Sequence, residues 1–181
     1  MSPLPADHGE DAFVVVARVV KAVGMRGEVK LLPADDWHPP LLGSRFLRWD
    51  DGTPARVLGG RPQAGGWVVR IAGVLDREAA ERQVGRRLGF RRGDYRAGDF
   101  PRPSAGLPFR FAGREVVDTA GRLLGTVGAV NLDGPVPLLE LRGDDGRRRG
   151  LVPAVPPILR DDPGLDGPLV VDPPEGLLDD A

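Results

Sequence analysis

Hydrophobic and polar positions along this chain alternate in short blocks broken by glycine and proline, a pattern of strands and turns. Phe13–Val20 is an apolar, β-branched run that reads as a buried strand. Gly24 and Gly27 bracket Met25-Arg26, which suits a tight reversal. Glu28–Leu32 resumes as a second strand, with Val29 and Leu31 facing one way and Glu28 and Lys30 the other. Asp35–Pro40 is a loop, since consecutive prolines cannot donate to a ladder. Arg45–Trp49 and Ala55–Leu58 read as a hairpin around Asp50-Asp51-Gly52, and Trp67–Ile71 as a further alternating strand. Asp76 as N-cap, Glu78 in the first turn and Gly85 at the end predict a short helix with an apolar stripe of Leu75, Ala79, Ala80 and Val84. Arg87–Arg91 is the last strand of this half.

Arg92–Pro108 has little periodicity and holds Pro101, Pro103 and Pro108, so it is expected to be a restricted spacer. Beyond it the same grammar returns. Arg114–Val117 and Leu123–Val130 flank the turn Asp118-Thr119-Ala120-Gly121, and Leu138–Leu141 and Arg148–Val152 flank Gly143-Asp144-Asp145-Gly146. Leu169–Val171 is a fifth short strand before an acidic tail. The expected fold class is all-β, two small β-barrels: a disordered start (1–12), a first barrel (13–92) with one short helix, a spacer (93–108), a second barrel (109–175) and a tail (176–181).

Composition narrows the function classes. The chain has 181 residues, 41% of them apolar, which is enough for two cores, and its 26 glycines and 19 prolines agree with many turns. With no cysteine there is neither a disulfide framework nor a Cys-based zinc site. Met1–Glu10 lacks the apolar core of a signal peptide and no apolar run reaches membrane-spanning length, so the expected location is cytoplasmic, without a membrane partner. A net charge of −1 does not announce nucleic-acid binding over the whole molecule. The charge is uneven, however: Arg82–Arg96 is basic, and Asp161–Asp166 and Asp172–Asp180 are acidic.

Little in the chain is equipped for covalent chemistry. His8 and His38 lack a second histidine at ligand spacing, and Ser2, Ser44 and Ser104 have neither a nucleophile elbow nor a nearby base. Gly24-Met25-Arg26-Gly27 lacks the spacing of a dinucleotide fingerprint. No catalytic, metal or cofactor residue is therefore assigned, and a binding module is expected. Its candidate surfaces are Arg18, Lys21, Arg26 and Lys30 around the first hairpin, which either contact phosphate or form a solvated face. Arg147 and Arg149 project to one side of a strand and Arg148 to the other, as an anion contact or a charged edge. Leu107, Phe109 and Phe111 supply either apolar anchors for a protein or core of the second barrel.

Several motifs in register carry a family resemblance. The run Ala17-Arg18-Val19-Val20-Lys21-Ala22-Val23-Gly24-Met25-Arg26-Gly27-Glu28-Val29-Lys30 resembles the opening signature of the RimM family of ribosome maturation factors. The helix Asp76–Val84 falls where that family has its Asp-Arg-Glu-Ala-Ala-Glu segment. Gly113–Asp118 with Gly121–Val127, Leu151-Val152-Pro153 and the close Val170–Asp179 are similar as well. The resemblance implies a translation-factor-like barrel followed by a PRC-type barrel. It also implies a monomeric, non-catalytic assembly chaperone without cofactor that binds the free small (30S) ribosomal subunit. Its implied partners are the small-subunit precursor, 16S rRNA, whose maturation it promotes, and the head ribosomal protein numbered nineteen. Two positions depart from the family: Ala22-Val23-Gly24 stands where Pro-His-Gly is usual, and Gly106-Leu107-Pro108-Phe109 where an aromatic pair is common. The competing expectations are a cofactor- or nucleotide-binding barrel associated with an enzyme, and a protein adaptor without RNA contact.

Overall fold

The computed structural model describes residues 9–103, 106–161, 164–174 and 176–178. They fall into two compact units that divide between 103 and 104.

In the first unit, strands β1 (Phe13–Val23), β2 (Glu28–Pro33), β3 (Arg48–Trp49), β4 (Val57–Gln63), β5 (Gly66–Ile71) and β6 (Arg87–Arg91) form one sheet, ordered β3-β6-β1-β2-β5-β4. Every pairing in it is antiparallel. β1 pairs with β6 along its first half and with β2 along its second, with register shifts at Val15/Ala17 and Val19/Lys21. Such bulges bend and twist a strand, so a single eleven-residue β1 curls the sheet around its core. Val19, Val29, Leu31, Val69, Ile71, Leu88 and Phe90 are buried there.

The helix α1 (Arg77–Glu81) starts where expected, with the Asp76 carboxylate accepting from the Ala79 N–H at 2.7 Å. Its apolar stripe is narrower than expected. Ala79 and Ala80 are buried, but Leu75 is 79% and Val84 45% exposed.

The expected hairpin at Asp50-Asp51-Gly52 is a turn without a long ladder. Gly52 N–H donates to Trp49 O at 2.9 Å and the Asp51 carboxylate accepts from Thr53 N–H at 2.9 Å, but pairing across it ends near the single Arg48–Pro54 bridge. Arg48-Trp49 then joins β6, while β4 runs on to Gln63 and pairs with β5. β4 is an edge strand, so Pro62 costs it no ladder bond on its open side.

Residues 92–103 also differ from a plain spacer. Tyr95 and Phe100 are buried, and Phe100 stands 5.2 Å from Phe46, 4.9 Å from Phe90 and 5.1 Å from Tyr95, ring centroid to centroid. Aromatic edges and faces at these separations attract beyond their buried area, which fastens the segment to the first unit. Of the start expected to be disordered, 1–8 lies outside the described residues. Residues 9–12 are tied down, with Arg92 N–H donating to Ala12 O and Gly93 N–H to Glu10 O, each at 2.8 Å.

The second unit holds β7 (Glu115–Asp118), β8 (Leu123–Asn131), β9 (Leu138–Arg142), β10 (Arg148–Pro153), β11 (Leu159–Asp161) and β12 (Leu169–Val171), ordered β10-β9-β8-β7-β12-β11. β12 runs parallel to β7 and the remaining pairs are antiparallel. Phe111, Val116, Val127, Leu139, Leu141, Val152, Leu169 and Val171 form its core. The short β11 raises the expected five strands to six; three residues beyond Pro156-Pro157 leave no alternation to read. At the tail, Leu178 bridges Gly150, and 179–181 lies outside the described residues.

Candidate nucleic-acid interface

Residues directly opposite in an antiparallel pair point to the same side of the sheet. Lys21 is opposite Lys30, Lys30 opposite Val68, and Val68 opposite Arg61. One row along, Glu28 is opposite Arg70; the other way, Arg18 is opposite both Leu32 and Arg87. The outer face of the first unit therefore gathers Arg18, Lys21, Lys30, Arg61, Arg70 and Arg87 around Glu28, with Val68 buried among them and Asp50 at the Arg87 end. Arg18 and Lys21 share this face because of the bulge at Val19/Lys21; three residues apart in a regular strand, they would point to opposite sides.

The local partners leave much of that charge uncompensated. Arg61 Nη1 donates to Glu28 Oε1 at 2.9 Å, and Arg87 Nε to Asp50 at 3.3 Å. Lys30 Nζ donates to a neutral acceptor, the Ala64 carbonyl, at 2.5 Å. Arg18, Lys21 and Arg70 have no hydrogen-bond or ion-pair partner among the described residues, and their side chains are exposed. Arg26 is exposed in the β1–β2 turn beside Met25, which is 72% exposed. Like charges facing each other across a ladder destabilise it, so this face holds repulsion that an array of phosphates would relieve.

The other sequence candidates are placed differently. Phe111 is 2% exposed within the second core, and Leu107 is also 2% exposed, so packing takes both of them; Phe109, in a turn of 3-10 helix over Pro108–Arg110, is half-buried. Arg147 sits in the β9–β10 turn, its side chain 87% exposed and 3.7 Å from Asp145. The expected alternation of Arg147, Arg148 and Arg149 fails, because a register shift between Arg148 and Gly150 interrupts it. Arg149 instead lies over Gly143: a Cβ there would come within 2.5 Å of its Nε.

Sequence reading missed Arg61, Arg70 and Arg87 as members of the face. Arg70 was available from the alternation of Trp67–Ile71, whereas Arg61 required β4 to be followed beyond Leu58. His38 is half-buried, and burial depresses its pKa, favouring the neutral ring. Among the described residues there is no cluster of His, Asp and Glu that could hold a metal ion, and no helix long and apolar enough to cross a membrane.

Comparison with known proteins places this architecture. Residues 14–94 match the family model of the RimM N-terminal domain. The ribosome maturation factor RimM of Anaeromyxobacter sp. (strain Fw109-5) is 35% identical over 174 residues, covering 93% of this chain and 99% of the relative. The protein of the same name from Synechococcus sp. (strain RCC307) is 36% identical over 179 residues, covering 93% and 98%. With both units spanned at this identity, the chain belongs to the RimM family.

Proposed function

We infer that this protein is a non-catalytic assembly factor of the small ribosomal subunit, using its first barrel against 16S rRNA and its second against a ribosomal protein of the subunit head. Its relatives carry the name ribosome maturation factor. The observation that carries the RNA half is the uncompensated cationic face built on the Lys21–Lys30 pair. A multiply charged strand surface takes hold of a phosphate backbone without reading bases. For the protein half, the resemblance points to the head protein numbered nineteen, and half-buried Phe109 is the apolar side chain of the entry segment with area left to offer it. Acting by binding alone, the factor favours one arrangement of rRNA and protein over others, a population shift that needs no bond to be made or broken.

Binding of purified immature small subunits, compared at low and physiological salt, tests this reading. Wild type is expected to lose affinity steeply as salt rises, and an Arg18→Glu/Arg70→Glu variant is expected to bind weakly with a shallow salt dependence. Salt-independent binding, or normal 16S rRNA maturation in cells lacking the protein, would overturn it.

A further inference from the structure

Glu28 and Asp50 both border the cations of the first unit, and their carboxylates are used differently. Asp50 has both oxygens engaged: Oδ2 accepts from Arg87 Nε at 3.3 Å, and Oδ1 lies 3.8 Å from Arg86 Nε. Glu28 accepts from Arg61 Nη1 at 2.9 Å through Oε1 alone. Its Oε2 has no hydrogen-bond or ion-pair partner among the described residues.

The chain keeps that second oxygen open. Glu28 follows the β1–β2 turn and stands opposite Val23 on one side and Arg70 on the other. Gly24 has a positive φ of 62°, and a Cβ there would stand 3.8 Å from Oε2, so glycine leaves the approach from the turn uncovered. Beyond Arg70 the same row of the sheet ends at Gly59, again without a side chain. The Glu28 side chain is 24% exposed, so a donor that reaches it meets a carboxylate already partly withdrawn from water, where a hydrogen bond is stronger.

A ligand for this face must be anionic around Lys21, Lys30 and Arg70, yet offer hydrogen-bond donors at one point between them. Nucleic-acid bases meet both demands, being neutral donors carried on a polyanion. A carboxylate only accepts. Guanine presents two adjacent donors to it, N1–H and the N2 amino group. On cytosine, adenine and uracil an acceptor sits beside the donor and faces the second oxygen. We propose that Glu28 selects an unpaired guanine of the bound RNA, whose Watson–Crick edge donates to its carboxylate. The exposed Met25 of the same turn supplies a polarisable cover for the base, and Lys21, Lys30 and Arg70 take the flanking phosphates. These three cations stand on three neighbouring strands and span roughly 10 Å, more than the phosphate of one nucleotide covers, so the guanine belongs to a strand and not to a free nucleotide. The inference rests on the RNA reading of the first unit and adds a base selectivity that phosphate contacts do not carry.

The test is fluorescence anisotropy of the full-length protein with labelled single-stranded RNA octanucleotides, uridine throughout except for one central guanosine, inosine or adenosine. Wild type is expected to bind the guanosine probe about tenfold more tightly than the adenosine probe. Inosine, which keeps N1–H and lacks the amino group, is expected between them. Glu28→Gln, nearly isosteric and checked for folding by its thermal midpoint, separates the charge from its hydrogen bonds. Removing a negative charge tightens binding to every probe. The guanosine preference is nevertheless expected to disappear, because a carboxamide presents one acceptor and one donor. Equal wild-type affinity for the three probes, or a guanosine preference that survives in Glu28→Gln, would overturn the inference and leave the RNA reading in place. No binding of any probe at low salt would overturn both. Guanosine monophosphate displacing the guanosine probe at the probe's own concentration would overturn the assignment to a strand.

Discussion

Lys21 and Lys30 stand directly opposite each other in the β1–β2 ladder, two ammonium groups with no carboxylate between them. An opposite-charge pair at such a position is stabilising and a like-charge pair the reverse. Lys21→Glu is therefore expected to raise the stability of the isolated protein, by roughly 0.5 kcal/mol in chemical denaturation. The same change is expected to weaken binding to a 16S rRNA fragment and to flatten the salt dependence by about one unit of the log–log slope. Stability and binding moving in opposite directions is the signature of a residue kept for its partner. A variant that is less stable and binds as before would show that the pair is only a solvated surface.

Arg114 is the clamp of the second barrel. It is 6% exposed and donates from Nη1 to Gly164 O at 2.7 Å, from Nε to Gly167 O at 2.9 Å and from Nη2 to Asp166 O at 3.2 Å. These carbonyls precede β12, the strand that must be brought back parallel to β7 across a long stretch of sequence. A lysine ammonium cannot reach several carbonyls in one plane as the guanidinium does. Arg114→Lys is expected to cost about 1–3 kcal/mol, because a buried cation gives up hydrogen bonds that its new head group cannot remake. Urea denaturation measures it, and a cost below about 0.5 kcal/mol would mean that water or other groups satisfy the loop.

What the chain made legible was local. The alternation of Glu28–Leu32, the Asp76 cap and the Asp118–Gly121 turn each depend on neighbours a few residues apart, and each stands where the pattern put it. Bulges and distant pairing were not legible. Nothing in Val19-Val20-Lys21 announces that Arg18 and Lys21 share a face, and the reverse error at Arg147–Arg149 has the same origin. Phe100 packs against Phe46 and Phe90, but its position among glycines and prolines reads as linker, because aromatic burial leaves no periodic trace in so short a segment.

The Asp118 carboxylate gives the second barrel an acid-sensitive turn. It accepts from the backbone N–H groups of Arg122 and Ala120, each at 2.9 Å, and from the Arg122 side chain. The backbone bond from Arg122 is the largest cause holding its pKa below the ordinary aspartate value. A carboxylate with a depressed folded pKa contributes stability that is complete above its unfolded pKa and is lost as pH falls through the folded one. A carbon-detected titration is expected to place the Asp118 midpoint below that of an ordinary aspartate. Arg122→Ala is expected to restore only part of the shift, since alanine keeps the backbone donor. Full restoration would assign the effect to the guanidinium instead.

Gly27 and Gly121 both close turns with positive φ, 76° and 82°, yet they are expected to differ in what alanine does. A Cβ at 121 would meet nothing within 4 Å, so Gly121→Ala carries only the left-handed backbone penalty, about 1 kcal/mol. A Cβ at 27 would lie 2.2 Å from the Val74 carbonyl oxygen and 2.7 Å from its carbon, backbone atoms that cannot rotate away. Gly27→Ala must therefore push the β1–β2 turn off the chain before α1, at a cost of about 3 kcal/mol or more. That turn presents Arg26 and fixes the register that sets Lys21 against Lys30. The thermal midpoint is thus expected to fall much further for Gly27→Ala than for Gly121→Ala, with RNA affinity falling alongside it only in the former. Equal losses of stability would mean that the close approach of residue 27 to Val74 relaxes at no cost, and the turn would then not be what holds the cationic face in register.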